Sequence, residues 1–200
     1  MPQHDLPPWA DPAYTARLDA KSTRALAHPI RIKILGILRM EGPATSTTIA
    51  NRLNLNTGTT SYHLRQLAAY GFIVEDADRG IGRERWWKAA HAVTVMDRES
   101  INDDETSEAF IRAVGQIYTE KIQQAIDEYA TLPESWRGVG TFSDVVLVLT
   151  PEEADQLKTD LFEVMSRYRR HDPADPAPAS PGSARVVAQL QIFPDARSIE

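Results

Sequence analysis

The stretch from Thr45 to Tyr70, TSTTIANRLNLNTGTTSYHLRQLAAY, constrains this chain more than any other, because it predicts two short helices joined by a tight turn. The first helix is predicted over residues 46–53, where apolar residues recur at helical spacing. Asn54 stands in the turn, and asparagine tolerates a left-handed backbone better than most non-glycine residues. Asn56 is predicted to cap the second helix by accepting a hydrogen bond from a backbone N–H.

The second predicted helix has two distinct faces. Thr60, Leu64 and Leu67 follow at i, i+4 and i+7 and define the inner face. The opposite face carries small polar groups, a ring and an arginine, which suits the major groove of DNA. His63 fits either a phosphate donor or a structural residue, and the structural role is favoured. The candidate DNA-contacting residues here are Asn56, Thr57, Thr59, Ser61, Tyr62, His63, Arg65 and Gln66.

A basic hairpin is predicted directly after this helix pair. Residues 72–74 and 85–88 read as two antiparallel strands around a tip, 79–83, that contains two glycines. A solvated loop is one interpretation of its arginines. Contact with the DNA backbone or minor groove is the favoured one, and it adds Arg79, Arg83 and Arg85 to the candidate DNA-binding residues.

These motifs occur in an order typical of one family. They are LAHPIR at 26–31, IANRL at 49–53, SYHLRQL at 61–67 and GRERWW at 82–87. Over residues 25–89, about a third of the chain, the sequence resembles the winged helix-turn-helix of the ArsR family of bacterial repressors. The resemblance implies a homodimer that binds palindromic double-stranded operator DNA. Asn54 stands where glycine is usual in the family, and the family's thiolate metal site has no counterpart in this chain.

The charge distribution favours a nucleic-acid partner although the net charge is −6. Between Lys21 and His91 there are eleven Lys/Arg and five Asp/Glu, so this segment carries +6 and the remainder carries −12. Acidic flanks that only keep the protein soluble would explain the −12 but not the clustered +6. A basic module on an acidic remainder is typical of a DNA-binding domain with a separate partner or sensing region.

Composition excludes several other functions. The chain has no cysteine, so thiolate metal sites and disulfides are excluded, and its five histidines are scattered without metal-ligand spacing. No nucleophile–base signature, phosphate loop or dinucleotide fingerprint occurs, so we expect no catalysis, no metal and no cofactor. No apolar run is long enough to cross a membrane, and residues 1–12 do not read as a signal peptide. A cytoplasmic, nucleoid-associated protein without membrane contact is expected.

Long-range periodicity indicates the remaining elements. Helices are predicted over 13–27 and 29–40, separated by the helix-breaking pair His28-Pro29. A connector over 92–102 leads to a long helix over 103–132. Its apolar stripe is long for one small domain to cover, so we expect pairing with a second copy, although packing on the N-terminal helix is an alternative. The candidate dimerisation residues are Phe110, Val114, Ile117, Tyr118, Ile122 and Ile126.

A strand–helix–strand unit is predicted in the last third of the chain. Residues 143–149 form a continuous apolar run, and residues 185–193 alternate between apolar and polar side chains. Thr150 and Glu153 begin the intervening helix as a capping box. A Pro/Ala/Asp-rich segment, 171–183, is expected to be disordered.

The sequence therefore predicts a mainly α fold with small β elements (α+β). The expected domains are a flexible arm (1–12), a winged helix-turn-helix (13–91), a connector with a long dimerisation helix (92–132), and a unit that senses an effector or supports the dimer (133–200). We expect a homodimeric DNA-binding regulator, a repressor by resemblance, whose effector would be a small organic molecule or a protein partner. The alternatives are a winged-helix protein-interaction scaffold without operator binding and an enzyme built on the C-terminal unit.

Overall fold

The computed structural model describes residues 10–11, 14–79, 84–95, 105–171 and 180–199. The chain divides into two compact units, a first unit of residues 1–117 with 171–184 and a second unit of residues 118–170 with 185–200. Most of the predicted arm, the hairpin tip 80–83 with Arg83, and residues 172–179 lie outside the described residues. The observed elements are mainly helices with small sheets, which confirms the predicted fold class.

Four helices and the start of a fifth build the first unit: α1 (Ala20–Leu26), α2 (Pro29–Met40), α3 (Ser46–Leu53), α4 (Thr57–Ala69) and α5 (Glu105–Glu128). The predicted break at His28-Pro29 is confirmed. His28 Nδ1 accepts a hydrogen bond from the backbone N–H of Ile30 at 3.2 Å, and Pro29 occupies the first helical position. Both features favour the start of a helix, because a cap satisfies a free N–H and proline lacks one.

The core of the first unit lies between α2, α3 and α4. Apolar side chains from each helix are almost fully buried there, among them Ile34, Leu38, Ile49, Leu64 and Leu67. Trp87 and Phe110 belong to the same cluster, so the hairpin and the beginning of α5 pack on the helix-turn-helix. Burial of this apolar surface is the main favourable term that holds the helix pair in place.

Three short strands form an antiparallel sheet in the order β2 (Ala44–Thr45), β4 (Trp86–Ala89) and β3 (Ile73–Glu75). Glu75 lies opposite Trp87 and Ile73 opposite Ala89. The predicted hairpin is confirmed, with each strand shifted by one residue. As expected for neighbours on a strand, Trp87 is buried while Trp86 is half-buried. Strand β2 was not predicted, since a two-residue strand carries no periodic signal.

The prediction of a helix over 13–27 is wrong at its start. Residues Thr15–Arg17 form β1, which pairs in parallel with β5 (Val93–Val95) inside the predicted connector. Helix α1 begins only at Ala20 because Asp19 caps it, accepting the N–H of Ser22 at 2.7 Å in a capping box. Residues 15–17 therefore form a strand and not a helical turn, because the cap begins the helix later and because a strand 78 residues away in sequence pairs with them.

The second unit contains the rest of α5, a 3-10 turn (Tyr129–Thr131), α6 (Glu134–Arg137) and α7 (Pro151–Ser166). The long helix and the Thr150–Glu153 capping box are confirmed. The two predicted strands are not, because residues 143–149 and 185–193 have no regular secondary structure and belong to no ladder within the described part of the chain. An apolar run identifies a strand-like segment, but a strand also needs a hydrogen-bonding partner.

Candidate nucleic-acid interface

The turn between α3 and α4 fixes the geometry of the site. Asn54 has φ 52° and ψ 48°, the left-handed conformation that the sequence predicts. The N–H of Leu55 donates to the carbonyl of Ala50 at 2.9 Å, which closes the end of α3. The chain can therefore turn within three residues and start α4 at a defined angle.

Helix α4 is held at its first turn by Asn56. Its Oδ1 atom accepts the N–H of Thr59 at 2.7 Å, which confirms the predicted cap. Thr60 is fully buried, and its hydroxyl donates to the Asn56 carbonyl at 3.2 Å. Asn56 is exposed but its side-chain oxygen is already used within the chain, so its contribution is to position the helix.

The outward face of α4 carries most of the predicted DNA-contacting residues. Thr57, Tyr62 and Arg65 are exposed, with 54% of Tyr62 accessible to solvent. Arg65 Nε donates to the carbonyl of Ser61 at 3.2 Å, which lays the guanidinium along the helix surface. Half-buried positions flank these three side chains, namely Thr59, Ser61 and Gln66.

His63 does not belong to this outward face. It is buried, and its ring centroid lies 4.6 Å from that of His28. Burial lowers the pKa of His63 below its ordinary value, and the charges of His28 and Arg31 lower it further. Because the ring is buried and its pKa is lowered, His63 is poorly placed to donate to a phosphate from this face.

The hairpin holds its cations with two acidic residues. Asp76 is buried; its Oδ1 atom accepts a hydrogen bond from Lys88 Nζ at 3.0 Å, and its Oδ2 atom forms an ion pair with Arg79 Nε at 3.2 Å. Arg85 is exposed, and its Nε lies 3.9 Å from a carboxylate oxygen of Glu75. Sequence reasoning missed the roles of Asp76 and Lys88. The available signal was an acidic residue at the end of an apolar strand, with a lysine on the facing strand.

A further exposed cation outside the predicted set is Arg52, in the last turn of α3. Its Nη2 atom lies 3.2 Å from Glu41 Oε1. In helix-turn-helix proteins the first helix crosses the DNA backbone, so an exposed arginine there is suited to a phosphate contact. Its position in the first helix of the pair was the signal that could have identified it.

The predicted dimerisation residues fall into two groups along α5. Phe110 and Ile117 are buried within the single chain, and Val114 packs against the core. In the second unit Ile122 and Ile126 are 37% and 49% exposed, and Tyr118 is half-buried. The N-terminal half of the predicted dimerisation face is therefore packed within its own chain. The side chains of Ile122 and Ile126, in the C-terminal half, remain exposed to solvent.

Within the described residues, no group of three or more His, Asp or Glu side chains is arranged to hold a metal ion. None of the described helices is long and apolar enough to cross a membrane. An open groove of about 470 Å³ lies between the end of α2 and α3, lined by Ile37, Pro43 and Asn51 among others.

Comparison with known proteins supports the class that this geometry indicates. A family model described as a helix-turn-helix domain matches residues 26–76, about a quarter of the chain. No curated protein matches the chain. The match and the following hairpin together define a winged helix-turn-helix, the module of DNA-binding transcriptional regulators. DNA is the partner that such a domain implies.

Proposed function

We propose that the protein is a sequence-specific regulator of the ArsR type that binds operator DNA as a homodimer and represses transcription. The observation that carries this proposal is the exposed polar face of α4, with Tyr62 and Arg65, on a helix whose start and angle are fixed by Asn56 and Asn54. The first turns of such a helix contact base edges, while its arginine and the hairpin contact phosphates.

The three arginines Arg65, Arg79 and Arg85 differ in how strongly their charges are paired within the chain. Arg65 makes no ion pair with any described residue, so its charge is fully available to a phosphate. Among the described residues Arg85 has only a long contact, to Glu75, and Arg79 is held more closely by Asp76. We therefore rank Arg65 first and Arg85 second as phosphate contacts, and we place Arg79 mainly in the support of the hairpin.

The proposed effector is not a thiophilic metal, because the chain has no cysteine thiolate with which to bind one. A small organic molecule or a protein partner would be the signal. Such a signal acts only through its different affinities for the DNA-binding and non-binding states. Dimerisation is proposed to involve the C-terminal half of α5, where Ile122 and Ile126 are exposed.

A second candidate function is a protein-interaction scaffold, and one observation favours it. Asp76 already compensates Lys88 and Arg79, so part of the positive charge of the hairpin is neutralised within the chain. A docking surface for protein needs less free positive charge than a DNA-binding surface does.

A salt-dependent gel shift on fragments of the source genome, followed by footprinting, separates the two functions. For the regulator, we expect a protected palindromic site. The logarithm of the binding constant should also fall linearly with the logarithm of the salt concentration between about 50 and 200 mM. Zinc or nickel in modest excess, or a chelator, should leave the affinity unchanged. A scaffold would show no footprint at any salt concentration.

A further inference from the structure

The second unit has no interior of its own. None of its described residues is buried, whereas the first unit holds the entire apolar core. The apolar side of α7 is only half-buried, at Ala154, Leu157, Leu161 and Met165. A compact unit normally keeps its structure by removing apolar surface from water, so this unit is incomplete as a single chain.

The most exposed apolar element of the unit is the segment 143–149, with the sequence Ser-Asp-Val-Val-Leu-Val-Leu. Val146 is 91% exposed and Val148 is 100% exposed, so neither is covered by its own chain. The segment belongs to no helix, strand or turn and makes no backbone hydrogen bond to the described part of the chain. Its β-branched and leucine side chains are those that strands favour.

This segment also lacks the features that protect an open strand edge. Natural edge strands carry lysine, proline or a bulge, because unpaired N–H and C=O groups otherwise recruit another strand. Between Ser143 and Leu149 there is no proline, glycine, lysine or arginine, and the only charge is Asp144. An unprotected apolar edge in a native protein is expected to be paired.

We propose that the segment 143–149 pairs antiparallel with the same segment of a second copy, around a two-fold axis at Val146. This inference rests on the proposed homodimer and specifies a surface for it. In this register Asp144 lies opposite the partner's Val148, so the two Asp144 carboxylates are about 13 Å apart along the strands. A parallel in-register pair would place them about 5 Å apart, which like charges disfavour.

The exposed apolar area supports a second copy as the occupant. Besides the five apolar side chains of the segment, the same unit exposes Ile122 and Ile126 on α5 and Tyr129 in the 3-10 turn that follows it. Together these eight side chains expose roughly 500 Å² of apolar surface, taking about 60–120 Å² for each complete side chain. A stable interface needs about 800 Å² per partner, including polar and backbone atoms, and the exposed apolar area of this unit is more than half of that.

The two-fold symmetry of the proposed interface matches the two-fold symmetry of a palindromic DNA site. A two-fold contact uses the same patch on both copies, and a nearly neutral apolar segment is complementary to itself. Two recognition helices related by a two-fold axis are what a palindromic site requires. A ladder centred on Val146 would add backbone hydrogen bonds to whatever contact α5 makes.

Cysteine cross-linking tests the register directly, because the full-length chain has no native cysteine. Under mild oxidation, Val146→Cys should give a covalent dimer in high yield, since residues facing each other across the axis have Cα atoms within disulfide range. A mixture of Val145→Cys and Leu147→Cys proteins should also cross-link. Val139→Cys, 61% exposed in the same unit but outside the segment, is the matched control and should give no covalent dimer.

A charge substitution tests the same interface without covalent cross-linking. Val146 is 91% exposed in the single chain, so Val146→Lys should leave the fold intact; because it sets two lysines opposite each other at the two-fold axis, it should weaken dimerisation at least tenfold in sedimentation equilibrium. Val164→Lys, on the exposed side of α7, should leave dimerisation unchanged. If Val146→Cys cross-links no better than Val139→Cys, the segment pairs elsewhere, for example with residues 185–193 of its own chain, and the inference is overturned.

The outcomes also separate this inference from the proposed function. A protein that footprints DNA but does not cross-link at Val146 would retain the regulator proposal and lose the shared ladder. A protein that cross-links at Val146 but leaves no footprint would retain the shared ladder and lose the regulator proposal. Wild-type protein that is monomeric at about 10 μM, well above a typical nanomolar regulator affinity, would overturn the ladder irrespective of DNA binding.

Discussion

The rings of His28 and His63 lie 4.6 Å apart at an interplanar angle of 55°, and they join the start of α2 to the middle of the recognition helix α4. His28 caps α2 through Nδ1, an acceptor that must be unprotonated. His63 is buried, and its Nδ1 atom has no hydrogen-bond partner among the described residues. The position of the recognition helix is thus coupled to the protonation of this pair.

This pair predicts a loss of stability in mild acid. Burial is the main cause that lowers the pKa of His28 and of His63, and neighbouring positive charge adds to it. The unfolded chain then binds more protons than the folded one below the ordinary value of 6.5, so the free energy of unfolding falls as pH decreases from there. Thermal unfolding between pH 8 and 5 should show a falling Tm.

The variant His63→Leu isolates the contribution of the buried ring. It should flatten the pH dependence of unfolding below 6.5, where one such group contributes at most about 1.4 kcal/mol per pH unit. Gln66→Leu introduces the same side chain on α4 in place of a group that does not titrate, so it is the control and should keep the wild-type slope. An unchanged slope in His63→Leu would show that another group titrates.

Arg65→Ala tests the proposed phosphate contact. Because Arg65 is exposed and outside any ion pair of the described residues, its removal should lower affinity for all DNA sequences alike and reduce the salt slope by about one. Arg112→Ala removes an equally exposed arginine, but one on α5 paired with Glu108. Gel shifts at several salt concentrations should separate the two variants, and equal behaviour would place the DNA elsewhere.

Tyr62→Ala tests base reading as distinct from phosphate contact. The ring is exposed on the outward face of the N-terminal half of α4, the half that reaches base edges in recognition helices. Its loss should change sequence preference in a selection from random DNA, while the salt slope stays as in the wild type. Tyr62→Phe retains the ring and should keep most of the preference. A uniform loss of affinity in Tyr62→Ala would instead indicate a backbone contact.

The parts of the fold that sequence predicted well are those fixed by local chemistry. The left-handed Asn54, the caps at Asn56 and Thr150, and the break at Pro29 all depend on neighbours within four residues. Such signals can be read from a single sequence because each involves one side chain and a nearby backbone group. They were enough to position the recognition helix.

The parts that sequence missed depend on distant partners. Strand β1 exists because it pairs with β5, and the buried Asp76 carboxylate is paired with Lys88, which comes from the facing strand of the hairpin. Periodicity describes which face of an element is apolar but not which element it meets. The same limit explains the segment 143–149, whose pattern is strand-like although its own chain offers no ladder.

Asp76→Asn measures how much the buried carboxylate contributes to the stability of the hairpin. The substitution removes the charge that holds Lys88 at 3.0 Å and Arg79 at 3.2 Å, while the amide keeps nearly the same volume. Because both cations are partly solvated, the expected loss is about 1–2 kcal/mol, below the range for a fully buried pair. Urea unfolding measures it, with Asp78→Asn at an exposed hairpin position as the control. A loss below about 0.3 kcal/mol would mean that apolar packing alone holds the hairpin.

Ile122→Glu tests the contribution of α5 to assembly. In the single chain this side chain is 37% exposed, so a glutamate there should be tolerated by the monomer. At the centre of a dimer contact it would bury an unpaired charge, costing several kcal/mol. Sedimentation should therefore show monomers, and operator affinity should fall because two linked recognition helices become two separate ones. Ala109→Glu adds the same group at an exposed position nearer the start of α5 and should stay dimeric. If Ile122→Glu also stays dimeric at micromolar concentration, the exposed half of α5 is not the interface.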